Sequence, residues 1–242
     1  MPTRFLAAPA WIVSAELVAG GVSVWLLATL AEHRLAAPPV FALAALLVYL
    51  PIALLVGCQL PSGAGLGAAN RVTLARAVLV SLMAGSLVDT RWLASEAHTL
   101  VGVATLALLA DGLDGWVARR TGTQSEFGAR FDMELDAFLI LVLACCVVAT
   151  GKAGAWVLAI AAMRYFFVAA MWPWPWLDAP LPESWRRKAV CVWQVAGLVV
   201  ALSPWVPARA ASIVLLSALV LLAWSFARDV WWLYQRAEHR SA

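Results

Sequence analysis

With 64% hydrophobic side chains and only 13% charged ones in 242 residues, the chain lacks the polar surface a water-soluble protein needs. Soluble domains carry about a quarter charged residues, so lipid must be the solvent for most of this chain. The net charge of +3 is spread thinly between apolar runs, which argues against nucleic acid as a partner and for membrane topology.

A helix that crosses lipid needs about 20 mostly apolar residues. Eight such runs are predicted, near 9–31, 38–59, 70–88, 93–114, 131–150, 153–172, 188–204 and 208–228. The first follows a single arginine and no clean small-residue cleavage site, so it reads as a retained helix rather than a signal peptide. Between the second and third runs, Pro61 to Gly67 reads as a flexible link. Its glycine spacing matches a fragment of a phosphate loop, but no strand precedes it and no lysine follows.

With the N-terminus inside, eleven basic residues, among them Arg71, Arg119, Arg130 and Lys188, fall on the inner side. The outer side receives only Arg34, Arg91, Lys152 and Arg209. That asymmetry supports both termini inside and places the 115–130 loop in the cytoplasm. Trp172, Trp174 and Trp176 at one set of span ends, and Trp231 and Trp232 at the other, read as interface anchors. Cys58, Cys145, Cys146 and Cys191 lie in or beside apolar runs without C-x-x-C spacing and read as packing residues.

At the joint between the fourth and fifth runs the chain reads DGLDGWVARRTGTQSEFGARFDMELD, from Asp111 to Asp136. A carboxylate at the centre of a membrane helix costs roughly 2.5–3.5 kcal/mol, so four of them must face a wet or protein-lined cavity. Asp111 and Asp114 stand i, i+3, and Asp132 and Asp136 stand i, i+4, so each pair projects from one helix face. Converging carboxylates repel one another unless protonated or bridged by cations. All-oxygen ligation selects a hard divalent ion, Mg²⁺ first and Mn²⁺ or Ca²⁺ next.

Around them, Gly115 and Ala118 clear space on a helix face, Gly128 does so at the entry to the next helix, and Arg119 presents a fork suited to phosphate oxygens. Together they describe a site for a diphosphate. One Asp at a helix end is an ordinary cap; four with these neighbours are not. Upstream, Asn70, Thr73 and Arg76 share a helix face, where they are expected to contact a nucleotide, order the metal ligands or hydrogen-bond between helices. Arg164, inside an apolar run, is a site candidate by default. Glu134 points away from the aspartate face.

The pattern D-x-x-D-G-x-x-A-R-x(8)-G-x-x-x-D-x-x-x-D, with Asn70-x-x-Thr73-x-x-Arg76 before it, resembles the CDP-alcohol phosphotransferase family at every fixed position. The resemblance implies an all-α, polytopic membrane bundle: a six-helix core over 61–242, preceded by two extra transmembrane helices over 1–60. It implies transfer of a phosphatidyl-type group from a CDP-linked lipid donor to a small polar alcohol acceptor, with release of CMP.

By the same resemblance, Asp111, Asp114, Asp132 and Asp136 would hold one or two Mg²⁺ or Mn²⁺ ions, with Asp136 also the catalytic base. Gly115, Ala118, Arg119 and Gly128 would line the nucleotide site, and Arg164 would meet the acceptor's phosphate; Asn70, Thr73 and Arg76 are expected to contact the nucleotide or order the metal ligands, and Lys188 to assist at the acceptor pocket or to anchor the inner side. It implies a homodimer in the inner membrane, its site facing the cytoplasm. Ala137 stands where many members carry Lys or Arg, and Trp185-Arg186-Arg187-Lys188-Ala189 replaces a Gly-Lys-x-Lys-Thr-like entry, so acceptor identity is open. The alternative is a cation-coupled transporter using the aspartates as an ion site; its usual repeated halves are missing from the sequence.

Overall fold

The computed structural model describes residues 9–61, 64–121, 125–182 and 184–241; at 10, 113–121 and 238–241 it describes the backbone alone. Every regular element among the described residues is helical. The chain forms two compact units, Met1–Val142 and Leu143–Ala242.

The first unit holds α1 (Ala10–Arg34), α2 (Phe41–Gln59), α3 (Gly67–Gly85), α4 (Thr90–Ser95), α5 (Ala97–Thr121) and the start of α6 (Glu126–Ala149). Helices α1 and α2 pack on each other and both pack on α3, which also carries α5. Small residues permit the close approaches. A Cβ on Gly20 would overlap the Tyr49 hydroxyl, which donates to the Leu17 carbonyl at 2.8 Å. Tyr49 is thereby buried with Val13, Val24, Leu74 and Val78 in one apolar core. Gly67 opens α3 at φ 75°, a left-handed conformation that costs a glycine little.

The second unit holds the end of α6, then α7 (Leu158–Met171), α8 (Trp185–Leu202) and α9 (Ala208–Ser241). Helices α8 and α9 pack together. Phe167 of α7 meets Phe226 of α9 edge to face, with centroids 5.3 Å apart. The Lys152 ammonium donates to the carbonyls of Ser203 and Val206, which ties the turn after α6 to the turn after α8.

Among the described residues, eight helices of fourteen residues or more stand where eight spans are expected. By length and composition, four stretches of the described residues are long and apolar enough to cross a membrane: Trp11–Arg34, Phe41–Gln59, Gly67–Val88 and Ala208–Ala237. The expected run at 93–114 is not continuous. Asp89 caps α4 by accepting from the backbone N–H groups of Arg91 and Trp92. Glu96 then ends α4, and its carboxylate accepts from the Thr99 hydroxyl at 2.9 Å. A carboxylate beside the first turn suits the positive end of the new helix, and α5 restarts at Ala97. Asp111 is therefore carried near the middle of a long helix rather than at the end of one.

Candidate active site

The site is assembled on α3, α5 and α6 within the first unit. Asn70, Thr73 and Arg76 are all buried, as residues on one face of a packed helix must be when they recur at i, i+3 and i+6. Thr73 satisfies its hydroxyl locally by donating to the Ala69 carbonyl at 3.2 Å. Asn70 lies against Gly128: a Cβ there would stand 2.5 Å from Asn70 Oδ1 and 3.0 Å from Ser125 Oγ. The space expected to be cleared by Gly128 is filled by Asn70. Gly128 N–H in turn donates to Ser125 Oγ at 2.9 Å, a cap at the first turn of α6.

Arg76 organises the acids. Its Nη1 lies 3.0 Å from Asp111 Oδ1 and 2.5 Å from Asp132 Oδ1, and its Nη2 pairs with Asp136 Oδ1. One guanidinium thus joins α3 to α5 and to two successive turns of α6. The planar fork suits arginine to this place, since its two Nη groups present donors in a fixed plane to carboxylates on two helices, whereas lysine offers one compact charge. Its side chain is 1% exposed, whereas those of Asp111, Asp132 and Asp136 are 34%, 37% and 33% exposed. The acids are clamped from the protein side and open on the other.

Carboxylate oxygens from Asp111, Asp132 and Asp136 all lie within 4.8 Å of one another. Three carboxylates against one guanidinium leave two formal negative charges, the complement of a divalent ion. Hard oxygens, this spacing and this exposure fit such an ion. Asp114, Gly115, Ala118 and Arg119 are on the helical backbone of α5, and their side chains are outside the described residues. Glu134 is exposed and is not one of the three grouped acids. Arg164, half-buried on α7, and Lys188, exposed on α8 with Nζ 5.7 Å from the Trp185 ring centroid, belong to the second unit.

Two ionic contacts escape the sequence reading. Glu16 of α1 takes Arg71 of α3 at 2.8 Å from Nε and 2.5 Å from Nη2. In the second unit, Asp229 lies 2.5 Å from Arg186 Nη2 and 3.4 Å from Arg187 Nη1. Arg186 also donates to the carbonyl and hydroxyl of Ser225. The signal for Glu16 was present, because an acid inside an apolar run demands a partner. Asp229 lies one residue beyond the expected last span, outside the apolar runs in which an acid stands out.

The family model for CDP-alcohol phosphatidyltransferase matches residues 66–226, and the chain belongs to that family. No solved structure gives a significant match. The chain is therefore an integral membrane enzyme that transfers a substituted phosphate group from a CDP-alcohol to an alcohol, chemistry of the phospholipid-building kind. The family works with a divalent metal on its aspartate cluster, and Asp111, Asp132 and Asp136 form such a group here. Nothing in the fold or the family match favours the transporter alternative.

Proposed function

We propose that this enzyme transfers the phosphatidyl-type group of a CDP-linked lipid, such as CDP-diacylglycerol, to the hydroxyl of a small polar alcohol and releases CMP. The observation that carries the reading is Arg76 gripping three carboxylates inside the family-matched segment. Residues 61–242 form the catalytic core and residues 1–60 an added helix pair. Glycerol 3-phosphate and inositol phosphate head the acceptors, because Arg164 and Lys188 offer cationic groups for an acceptor phosphate.

In the reaction, the acceptor oxygen forms a bond to the lipid-bearing phosphorus while the bond from that phosphorus to the CMP oxygen breaks. Asp136 takes the hydroxyl proton on a carboxylate oxygen, as a positioned general base does. A divalent ion, Mg²⁺ or Mn²⁺, singly or as a pair, supplies charge neutralisation for the diphosphate when bound on Asp111, Asp114, Asp132 and Asp136. Asp132 and Asp136 stand one turn apart on α6, and Arg76 pairs with both carboxylates from α3. Asn70, Thr73, Gly115, Ala118, Arg119 and Gly128 line the nucleotide site. The site faces the cytoplasm of an inner membrane, in keeping with the basic residues on that side, and the enzyme works as a homodimer.

The test is CMP release from CDP-diacylglycerol by purified protein with Mg²⁺, screened over glycerol 3-phosphate, inositol phosphate, inositol, serine and choline. One acceptor is expected to support turnover that a chelator abolishes. Absence of CMP with every acceptor, under conditions where the protein is folded, would sink the reading.

A further inference from the structure

Helices α1 and α5 each pack on α3, and between them a cavity of about 500 Å³ opens over α3. That size falls in the range of small-ligand sites, roughly 300–1,000 Å³. Its walls are apolar and largely small: Ala19, Ser23 and Leu27 from α1, Ala75 and Leu79 from α3, and Leu106 from α5. Leu27 and Leu106 are exposed, so the groove opens sideways to the solvent of these helices, which is lipid.

Among the described residues, the charged ones lining the groove are Arg71 and Arg76. Arg76 is the residue that grips the carboxylates, so the groove and the acid cluster adjoin the same residue. Along α3 the lining runs from Arg71 to Leu79, eight residues or about 12 Å at the helical rise. One leaflet's share of a hydrocarbon core ~30 Å thick is of similar depth.

We infer that this groove holds one alkyl chain of the lipid donor, with the donor's phosphate end toward Arg71 and Arg76, and that α1 thereby sets which chains the enzyme accepts. The inference rests on the reading that the donor is a CDP-linked lipid. It assigns substrate contact to a helix that lies outside the matched segment 66–226. An apolar channel takes an aliphatic occupant because nothing in its walls repays the desolvation of a polar one. The guanidinium of Arg71, whose side chain is 58% exposed, is the group at that end that meets the anionic head. Glu16 holds the exposed guanidinium of Arg71 from α1, so the same helix that walls the chain also orients a cation at its mouth.

The test compares a long-chain CDP-diacylglycerol with a short-chain, water-soluble analogue as donors. Ser23→Phe, which fills the groove from α1, is expected to lower the long-to-short ratio of kcat/KM by about tenfold or more, because apolar contact scales with the buried chain. Val18→Phe, at an exposed position outside the groove, is expected to leave that ratio at the wild-type value. An unchanged ratio in Ser23→Phe overturns the inference and assigns the groove to bulk lipid. If Ser23→Phe loses both activities, a donor analogue with a photoactivatable chain terminus decides on the wild-type enzyme: labelling within residues 19–27 supports the inference, and labelling elsewhere overturns it. Wild-type protein that releases no CMP from either donor defeats the CDP-lipid reading itself, and the inference with it. Turnover with an unshifted ratio defeats the inference alone.

Discussion

Among the described residues, each compact unit carries a multi-residue ionic knot, and the two are opposite in composition. In the first, a single arginine faces three aspartates; in the second, a single aspartate faces two arginines. The first leaves an excess of negative charge on carboxylates about a third exposed, which invites a cation from outside the chain. The second leaves an excess of positive charge, but Ser225 and Asp229 already engage Arg186 in directed hydrogen bonds, and Arg187 also donates to the Pro182 carbonyl. An unbalanced cluster open to ligand is built for chemistry. An unbalanced cluster whose donors are already engaged is built to hold helices together.

That contrast breaks most sharply at Asp136. Asp136→Asn keeps the shape of the side chain and removes the proton acceptor, so CMP release should fall by about 10²–10⁴-fold while the melting temperature in detergent holds near wild type. Next is Arg76→Ala, which leaves three carboxylates without their buried partner. Loss of one member of a buried ion pair costs about 3–5 kcal/mol, read as lost thermal stability. Added Mg²⁺ should restore more of the melting temperature in this variant than in wild type, because the freed carboxylates become better ligands.

In the second unit the expected effect is smaller and structural. Asp229→Ala removes charged hydrogen bonds worth about 1.5–3 kcal/mol, and Mg²⁺ should rescue none of it. A metal-dependent rescue there would dissolve the distinction between the knots. The smallest effect belongs to Glu16→Gln, whose partner Arg71 has a side chain 58% exposed. Exposed pairs are worth about 0–1 kcal/mol, and a melting curve should barely register the change.

Much of the catalytic end was legible because chemistry and periodicity coincide there. Intramembrane acids at i, i+3 and i, i+4 announce both a site and the faces it uses, and the structure brings Asp111, Asp132 and Asp136 together. The spacing of Asn70, Thr73 and Arg76 revealed a shared face but not what lies opposite it, because a helical repeat carries no information about neighbours. Only tertiary structure selects ion pairing with the acids for Arg76 and contact with Gly128 for Asn70.

The interruption at Glu96 was missed for a different reason. Hydropathy averages over a window, and a turn needs only two capping acids, Asp89 and Glu96, in an otherwise permissive stretch. The pairing of Glu16 with Arg71 and of Asp229 with Arg186 spans 55 and 43 residues, beyond the reach of any local pattern.

The sideways opening between Leu27 and Leu106 has a kinetic consequence. A donor that loads its chain through that opening never leaves the bilayer, so it reaches the enzyme by diffusion in two dimensions while the alcohol arrives in three. Turnover should then follow the mole fraction of donor in the surrounding film, and diluting the donor with inert lipid should slow the enzyme even when every bulk concentration is held constant.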